Sequence, residues 1–253
     1  MSALIDDVWS WERVDERLTV STQSRLERVE RAAKQPCICG GVWRELAEKA
    51  LTTNGISPSH LCGDVLRSLR DGRREDRPVV VLVGRRGGEG KSFLLAPLRR
   101  LFGNELTQHT PQPGTFPLLG LEKKALVLLD EWSFDEAAVP LSTQLLWFEG
   151  KPFPLSRPQN RSEYSGHFLY EGTAPIFVTC KEVNLAPLYK MAAEATATGG
   201  ASEWTMLLRR LQLVWFTQPF VPPEDQVPEC VTCFSKMLLH HAASTSTSSG
   251  SLS

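Results

Sequence analysis

The sequence predicts an α/β domain built on a mainly parallel sheet, with a small helical region ahead of it. Three observations lead there. Short apolar runs of strand length, the first of them β-branched, recur between segments of helical spacing: Pro78 to Val83, Ala125 to Leu129, Ala174 to Thr179 and Leu211 to Phe216. A glycine-rich turn joins the first run to the helical pattern that follows it. The second run ends in two adjacent carboxylates, Asp130 and Glu131.

The elements follow in order. Residues 1–35 carry helical spacing at Leu18, Leu26 and Val29, and Cys37-Ile38-Cys39-Gly40-Gly41 interrupts it. Val42 to Leu51 reads as a helix with Trp43, Leu46, Ala47 and Ala50 on one face, ended by Asn54-Gly55. Ser57-Pro58-Ser59 starts a third helix through Leu61, Val65, Leu66 and Leu69, which Asp71-Gly72 stops. The division expected is a helical region at 1–75, a core at 76–220, an extension at 221–241 and a disordered Ser/Thr/Gly tail at 242–253. The extension is Pro-rich and then carries a short helix from Met237 to His241.

A net charge of −1 excludes a global basic footprint for nucleic acid but leaves room for local contacts. No stretch approaches the roughly 20 apolar residues of a membrane span. Met1 to Trp11 carries Asp6 and Asp7 where a signal peptide needs positive charge, so an intracellular protein, nuclear or cytoplasmic and not secreted, is expected. Its six cysteines are then expected to be reduced.

The turn after the first strand reads Gly84-Arg85-Arg86-Gly87-Gly88-Glu89-Gly90-Lys91-Ser92. Such a loop wraps backbone N–H groups around phosphate, and the helix that follows adds its positive end. Gly84, Gly87, Gly88 and Gly90 supply the bends, Lys91 reaches the β- and γ-phosphates, and the Ser92 hydroxyl ligates Mg²⁺. This is a P-loop NTPase signature with its first glycine out of register, since Arg85 stands where glycine is usual. Asp130, at a strand end, is the expected partner of the Mg²⁺ site, and Glu131 the base that activates water. Thr179 or Lys181, at the end of the third strand, is placed to sense the γ-phosphate. Arg209 and Arg210 are candidates for presentation to a neighbouring subunit's phosphate. The cofactors implied are ATP and Mg²⁺.

The order Gly-Lys-Ser-Phe-Leu-Leu-Ala-Pro-Leu, Leu-Leu-Asp-Glu-Trp, Leu-Leu-Trp-Phe-Glu-Gly, Ala-Pro-Ile-Phe-Val-Thr-Cys and Arg-Arg-Leu-x-Leu-x-x-Phe resembles the superfamily 3 helicases over roughly residues 60–220. These are replication motors of parvoviruses and papillomaviruses, with relatives in eukaryotic mobile elements. The resemblance implies an AAA+-like three-layer core, ATP hydrolysis, a hexameric ring as homo-oligomer, and movement on single-stranded DNA. It maps a DNA-tracking hairpin onto the segment from Leu145 to Arg161, where Lys151, Phe153, Arg157 and Arg161 become DNA-contact candidates. Lys181 stands where the family has asparagine, and no histidine pair of a replication nuclease occurs in residues 1–75. A nucleotide-binding switch or assembly module without translocation, or a decayed mobile-element copy, is the alternative.

Cys230-Val231-Thr232-Cys233 with His240-His241 offers four zinc ligands at short spacing. Cys37 and Cys39, with one residue between them, make a poor zinc pair. Incidental reduced cysteines are therefore the expected state, with zinc at Cys230, Cys233, His240 and His241 the less favoured reading. The arginines at 67, 70, 73, 74 and 77 alternate with acids and read as a self-paired helix end.

Overall fold

A computed structural model describes residues 23–156, 168–197, 202–220 and 227–247. The helical reading of residues 1–22, the Pro-rich stretch 221–226, the tail end 248–253 and the candidates Arg157 and Arg161 lie outside them. Three helices lead in: α1 (Arg25–Ala33), α2 (Val42–Thr53) and α3 (Pro58–Asp71). Ser24 and Glu27 cap α1 reciprocally, each side chain accepting the other's backbone N–H. Ser57 caps α3, with Pro58 in its first turn.

The sheet has five parallel strands: β1 (Val79–Gly84), β2 (Thr107–His109), β3 (Leu126–Leu129), β6 (Ile176–Lys181) and β7 (Leu211–Phe216). Their spatial order is β2-β3-β6-β1-β7. From β1 the chain crosses to the far edge at β2, returns inward through β3 and β6, and passes β1 to end on β7. The connections leaving β1 and β6 cover opposite faces of the sheet, so the crevice between their carboxyl ends is a topological switch point where ligands collect. Helix α4 (Lys91–Leu106) follows β1 directly and bends at Gly103. The three-residue β2 comes next, an edge strand too short for periodicity to reveal.

Alternation along the strands builds two cores. Val79, Val81, Val83, Val127, Leu129, Ile176 and Val178 face one layer, made by α5 (Leu141–Glu149), α6 (Glu182–Ala197) and α7 (Glu203–Arg209). Val80, Leu82, Leu126, Leu128 and Phe177 face the other, made by α1 to α4 and α8 (Val231–Thr247). The leading helices therefore share a core with the sheet: Leu66 and Leu69 of α3 pack in the same cluster as Val80 and Leu82. Helix α8 lies along α3 and α1 and runs past His241 into the Ser/Thr-rich stretch expected to be disordered.

A separate antiparallel ribbon, β4 (Phe153–Leu155) with β5 (Phe168–Tyr170), follows α5. Its first strand falls in the segment Leu145 to Arg161 mapped to a DNA-tracking hairpin, and its second lies beyond that segment. Phe153 is not available as a base platform: it is 1% exposed and packs on Trp147 and Tyr170. Lys151 is exposed, paired with Glu149 and Glu75. Arg67, Arg74 and Arg77 pair with Asp64, Asp76 and Asp71. Arg73 departs from that pattern. It is buried and donates from Nε to the Phe148 carbonyl at 2.5 Å, tying the end of α3 to the end of α5.

Since Phe153 is core, Phe153→Ala is expected to lower unfolding stability by about 3–5 kcal/mol, measured by urea titration. Wild-type stability in that variant would contradict the packing described.

Candidate active site

Strand register assembles the site. Leu129 pairs with Val178, and Leu82 and Gly84 pair with Thr179 and Lys181. The residue after Leu129 therefore meets Thr179, and alternation turns both toward the layer that contains α4. Thr179 is fully buried and donates to Asp130 Oδ1 at 2.5 Å. Ser92, in the first turn of α4, donates to the same oxygen at 2.9 Å. The backbone N–H of Glu131 donates to Thr179 Oγ1 at 3.0 Å, and Thr110 Oγ1 donates to the Asp130 carbonyl at 2.9 Å. Glu131 has φ 51°, a left-handed conformation uncommon outside glycine and characteristic of strained functional turns. Its carboxylate pairs with Lys181 at 3.0 Å.

The glycine-rich loop arches over the end of β1, with Gly87, Gly88 and Gly90 at positive φ. Gly84 cannot carry a side chain, because a Cβ would stand 2.0 Å from Lys91 Nζ and 2.4 Å from Glu89 Oε2. Those two groups are the centre of the loop. Lys91 and Glu89 are each 3% exposed and pair at 2.9 Å. The Glu89 carboxylate also accepts the N–H of Arg86 at 2.6 Å and of Gly87 at 3.0 Å. Burial alone would raise its pKa, but the Arg86 N–H, the Lys91 ammonium and the Gly87 N–H outweigh it and hold the carboxyl down at about 2. Glu89 was not among the residues singled out from sequence. The available signal was an acid between two glycines inside an anion-binding loop.

Of the predicted residues, Gly84, Gly87, Gly88, Gly90, Lys91, Ser92, Asp130, Glu131, Thr179 and Lys181 lie together at this edge. Arg85 points outward and pairs with Glu182. Arg209 and Arg210 do not join them. The Arg210 carbonyl accepts the Val79 N–H at 2.7 Å, which fixes both arginines at the opposite edge, about 16 Å away along β1. Arg210 is held by Glu149 at 2.5 Å and by the Met206 carbonyl, while Arg209 is exposed. Cys180, between Thr179 and Lys181, is fully buried in the opposite core, and burial pushes its thiol up to about 12, so it serves as packing.

No family model matches the chain, and comparison with curated proteins finds no relative. Among solved structures, the apo C-terminal region of NrS-1 superposes with a TM-score of 0.48 at 12% identity, over 77% of this chain and 45% of that one. The chain thus spans less than half of the NrS-1 region. The JCV helicase, bound to a substituted phenyl acetamide, gives a TM-score of 0.49 at 11% identity, over 96% of this chain and 73% of that one. At these scores the likenesses carry no weight for function, and what the site can do follows from its own geometry.

Glu89 ionises more readily folded than unfolded. The stability it contributes is therefore complete above its ordinary value of 4.5 and is lost as pH falls towards about 2. Glu89→Gln leaves Lys91 a buried charge without a counter-ion and is expected to cost on the order of 3 kcal/mol at neutral pH. The gap between wild type and variant, followed by thermal unfolding, should be constant from about pH 7 to 5 and close at more acid pH. A gap that grows on acidification would contradict the pairing.

Proposed function

We propose that this chain binds ATP with Mg²⁺ in the loop from Gly84 to Ser92 and hydrolyses it, as one subunit of a ring-shaped motor acting on single-stranded DNA. One observation carries the nucleotide assignment. The loop already clasps an anion, because two backbone N–H groups and a buried ammonium converge on the Glu89 carboxylate. A phosphate offers the same receptor more charge and more acceptor oxygens. Glu89 is then a resident stand-in that must withdraw when the triphosphate enters.

The roles of the remaining residues follow. Lys91 neutralises the β- and γ-phosphates. Ser92 Oγ and Asp130 Oδ1 are hard oxygen donors side by side, which suits Mg²⁺. Bound there, Mg²⁺ would neutralise the charge of the transferring phosphoryl group. Thr179 keeps Asp130 oriented. Glu131 takes the proton of the attacking water once Lys181 turns from it to the γ-phosphate. The two lysines thus exchange internal carboxylates for phosphate, and binding itself frees the base.

The ring and the DNA rest on the ordered motifs and on two placements. Arg209 lies exposed at the edge away from its own loop, suited to a neighbour's phosphate. Lys151, just ahead of β4, and Arg157 and Arg161, which follow β4 in sequence, are the cations we assign to the DNA strand. A nucleotide-gated switch without translocation is favoured by the 3.0 Å Glu131–Lys181 pair if that pair stays closed.

Equilibrium binding and turnover of MgATP test the assignment. Lys91→Ala, made together with Glu89→Gln so that no buried carboxylate is left unpaired, is expected to weaken binding about 100-fold and abolish turnover. Glu89→Gln alone should tighten binding about tenfold, because the competing carboxylate is gone. Glu131→Gln should bind normally and not hydrolyse. Wild-type turnover in the Lys91 variant would refute the site. Turnover by wild type that single-stranded DNA leaves unchanged would favour the switch.

A further inference from the structure

We propose that Cys37, Cys39, Cys230 and Cys233 bind one structural zinc ion that clamps the loop between α1 and α2 to the start of α8. The two pairs lie almost two hundred positions apart in sequence, yet all four sulfurs fall within 4.8 Å of one another. Cys37 Sγ stands 3.6 Å from Cys39, 3.8 Å from Cys230 and 3.3 Å from Cys233, and Cys39 stands 3.5 Å from Cys233. A zinc ion with four thiolates at ~2.3 Å has sulfur–sulfur edges of about 3.8 Å. A disulfide needs about 2.05 Å, and all four cysteines are free.

Hydrophobic packing does not account for the quartet, because Cys37 is exposed. The backbone N–H of Gly41 lies near Cys37 and Cys39, that of Trp43 near Cys39, and that of Cys233 donates to Cys230 Sγ at 3.5 Å. Gly40 and Gly41, at φ 62° and 98°, double the chain back so that these N–H groups face the sulfurs. Cys233 lies in the first turn of α8, at the helix end that favours negative charge. Thr232 reinforces the junction by donating to the Pro36 carbonyl at 3.3 Å.

This corrects the ligand set weighed from sequence. His240 and His241 lie farther along α8 and face α2 and α3 instead. Arg44 contacts His240 Nδ1 at 3.2 Å, and His241 meets Glu48 at 2.9 Å and Ser59 at 3.3 Å. Neither pair of cysteines is a site alone. Packing α8 against the leading helices completes it. The clamp also reaches the phosphate loop. Trp43, just beyond the Gly40–Gly41 turn, stacks on Phe93 at 5.4 Å and meets Phe234 of α8 edge-on at 5.9 Å. Phe93 in turn touches Phe220, whose N–H donates to the Gly88 carbonyl at 2.9 Å.

The test is metal analysis of the full chain, purified without a histidine tag under reducing conditions. One zinc per chain is expected, released when an organomercurial titrates the thiols. The cobalt-substituted protein should show sulfur-to-metal charge-transfer and tetrahedral ligand-field bands. Cys37→Ser and Cys233→Ser should each lose the zinc, while the double variant His240→Ala, His241→Ala keeps it. Wild-type protein free of metal, or carrying iron in its place, overturns the proposal. So does zinc that survives the cysteine changes and leaves with the histidines. Because wild-type metal content is read directly, misfolding of a cysteine variant does not blunt the result.

Discussion

A buried ammonium needs an anion against it, and Lys91 has one in Glu89. Both groups are almost wholly withdrawn from water, where an unpaired charge would cost several kcal/mol. Meeting that demand shapes the site. The carboxylate draws in the Arg86 and Gly87 N–H groups, which curls the loop, and the curl leaves no room for a side chain at Gly84. The loop is thereby preorganised around negative charge before any phosphate arrives. On the proposed function, the same pair sets a conflict, since phosphate and internal acid would compete for one seat.

The sheet delivers partners to that seat. Placing β6 between β1 and β3 puts Thr179 and Lys181 beside Gly84 on one side and against Asp130 and Glu131 on the other. Alternation then decides which of these residues meet α4. A shift of one residue in register would carry Thr179 into the opposite core, where Cys180 lies, and break the Ser92–Asp130–Thr179 network. Behind the sheet, the cysteine quartet and the rings of Trp43, Phe93 and Phe220 join the leading helices to the loop, so the helical region and the glycine-rich loop share one core.

Much of this could be read in the chain. The four longer strands are mostly apolar runs, the leading helices carry their own start and stop signals at Ser57 and Asn54-Gly55, and the candidate site residues sit at strand ends. The rest depends on tertiary placement. Strand β2 has three residues and no periodicity. Phe153 looked like an exposed aromatic among cations, but α5 and the β4–β5 ribbon close around it. Arg73 resembled its charged neighbours until α5 offered a buried carbonyl. Glu89 was hidden because an acid is unexpected in a loop read as anion-binding, and only the fold shows it paired with Lys91 and the Arg86 and Gly87 N–H groups. The cysteines mislead in sequence because adjacency suggested the histidines, whereas the packing of α8 on α1 and α3 selects a pair from the other end of the chain.

The most direct test of the Glu89 exchange is a crystal structure of the wild-type chain with Mg²⁺ and a non-hydrolysable ATP analogue. The account predicts a phosphate in the place of the Glu89 carboxylate, bonded to the Arg86 and Gly87 N–H groups and to Lys91, with Glu89 turned out to solvent. A nucleotide bound while Glu89 remains paired with Lys91 would contradict it.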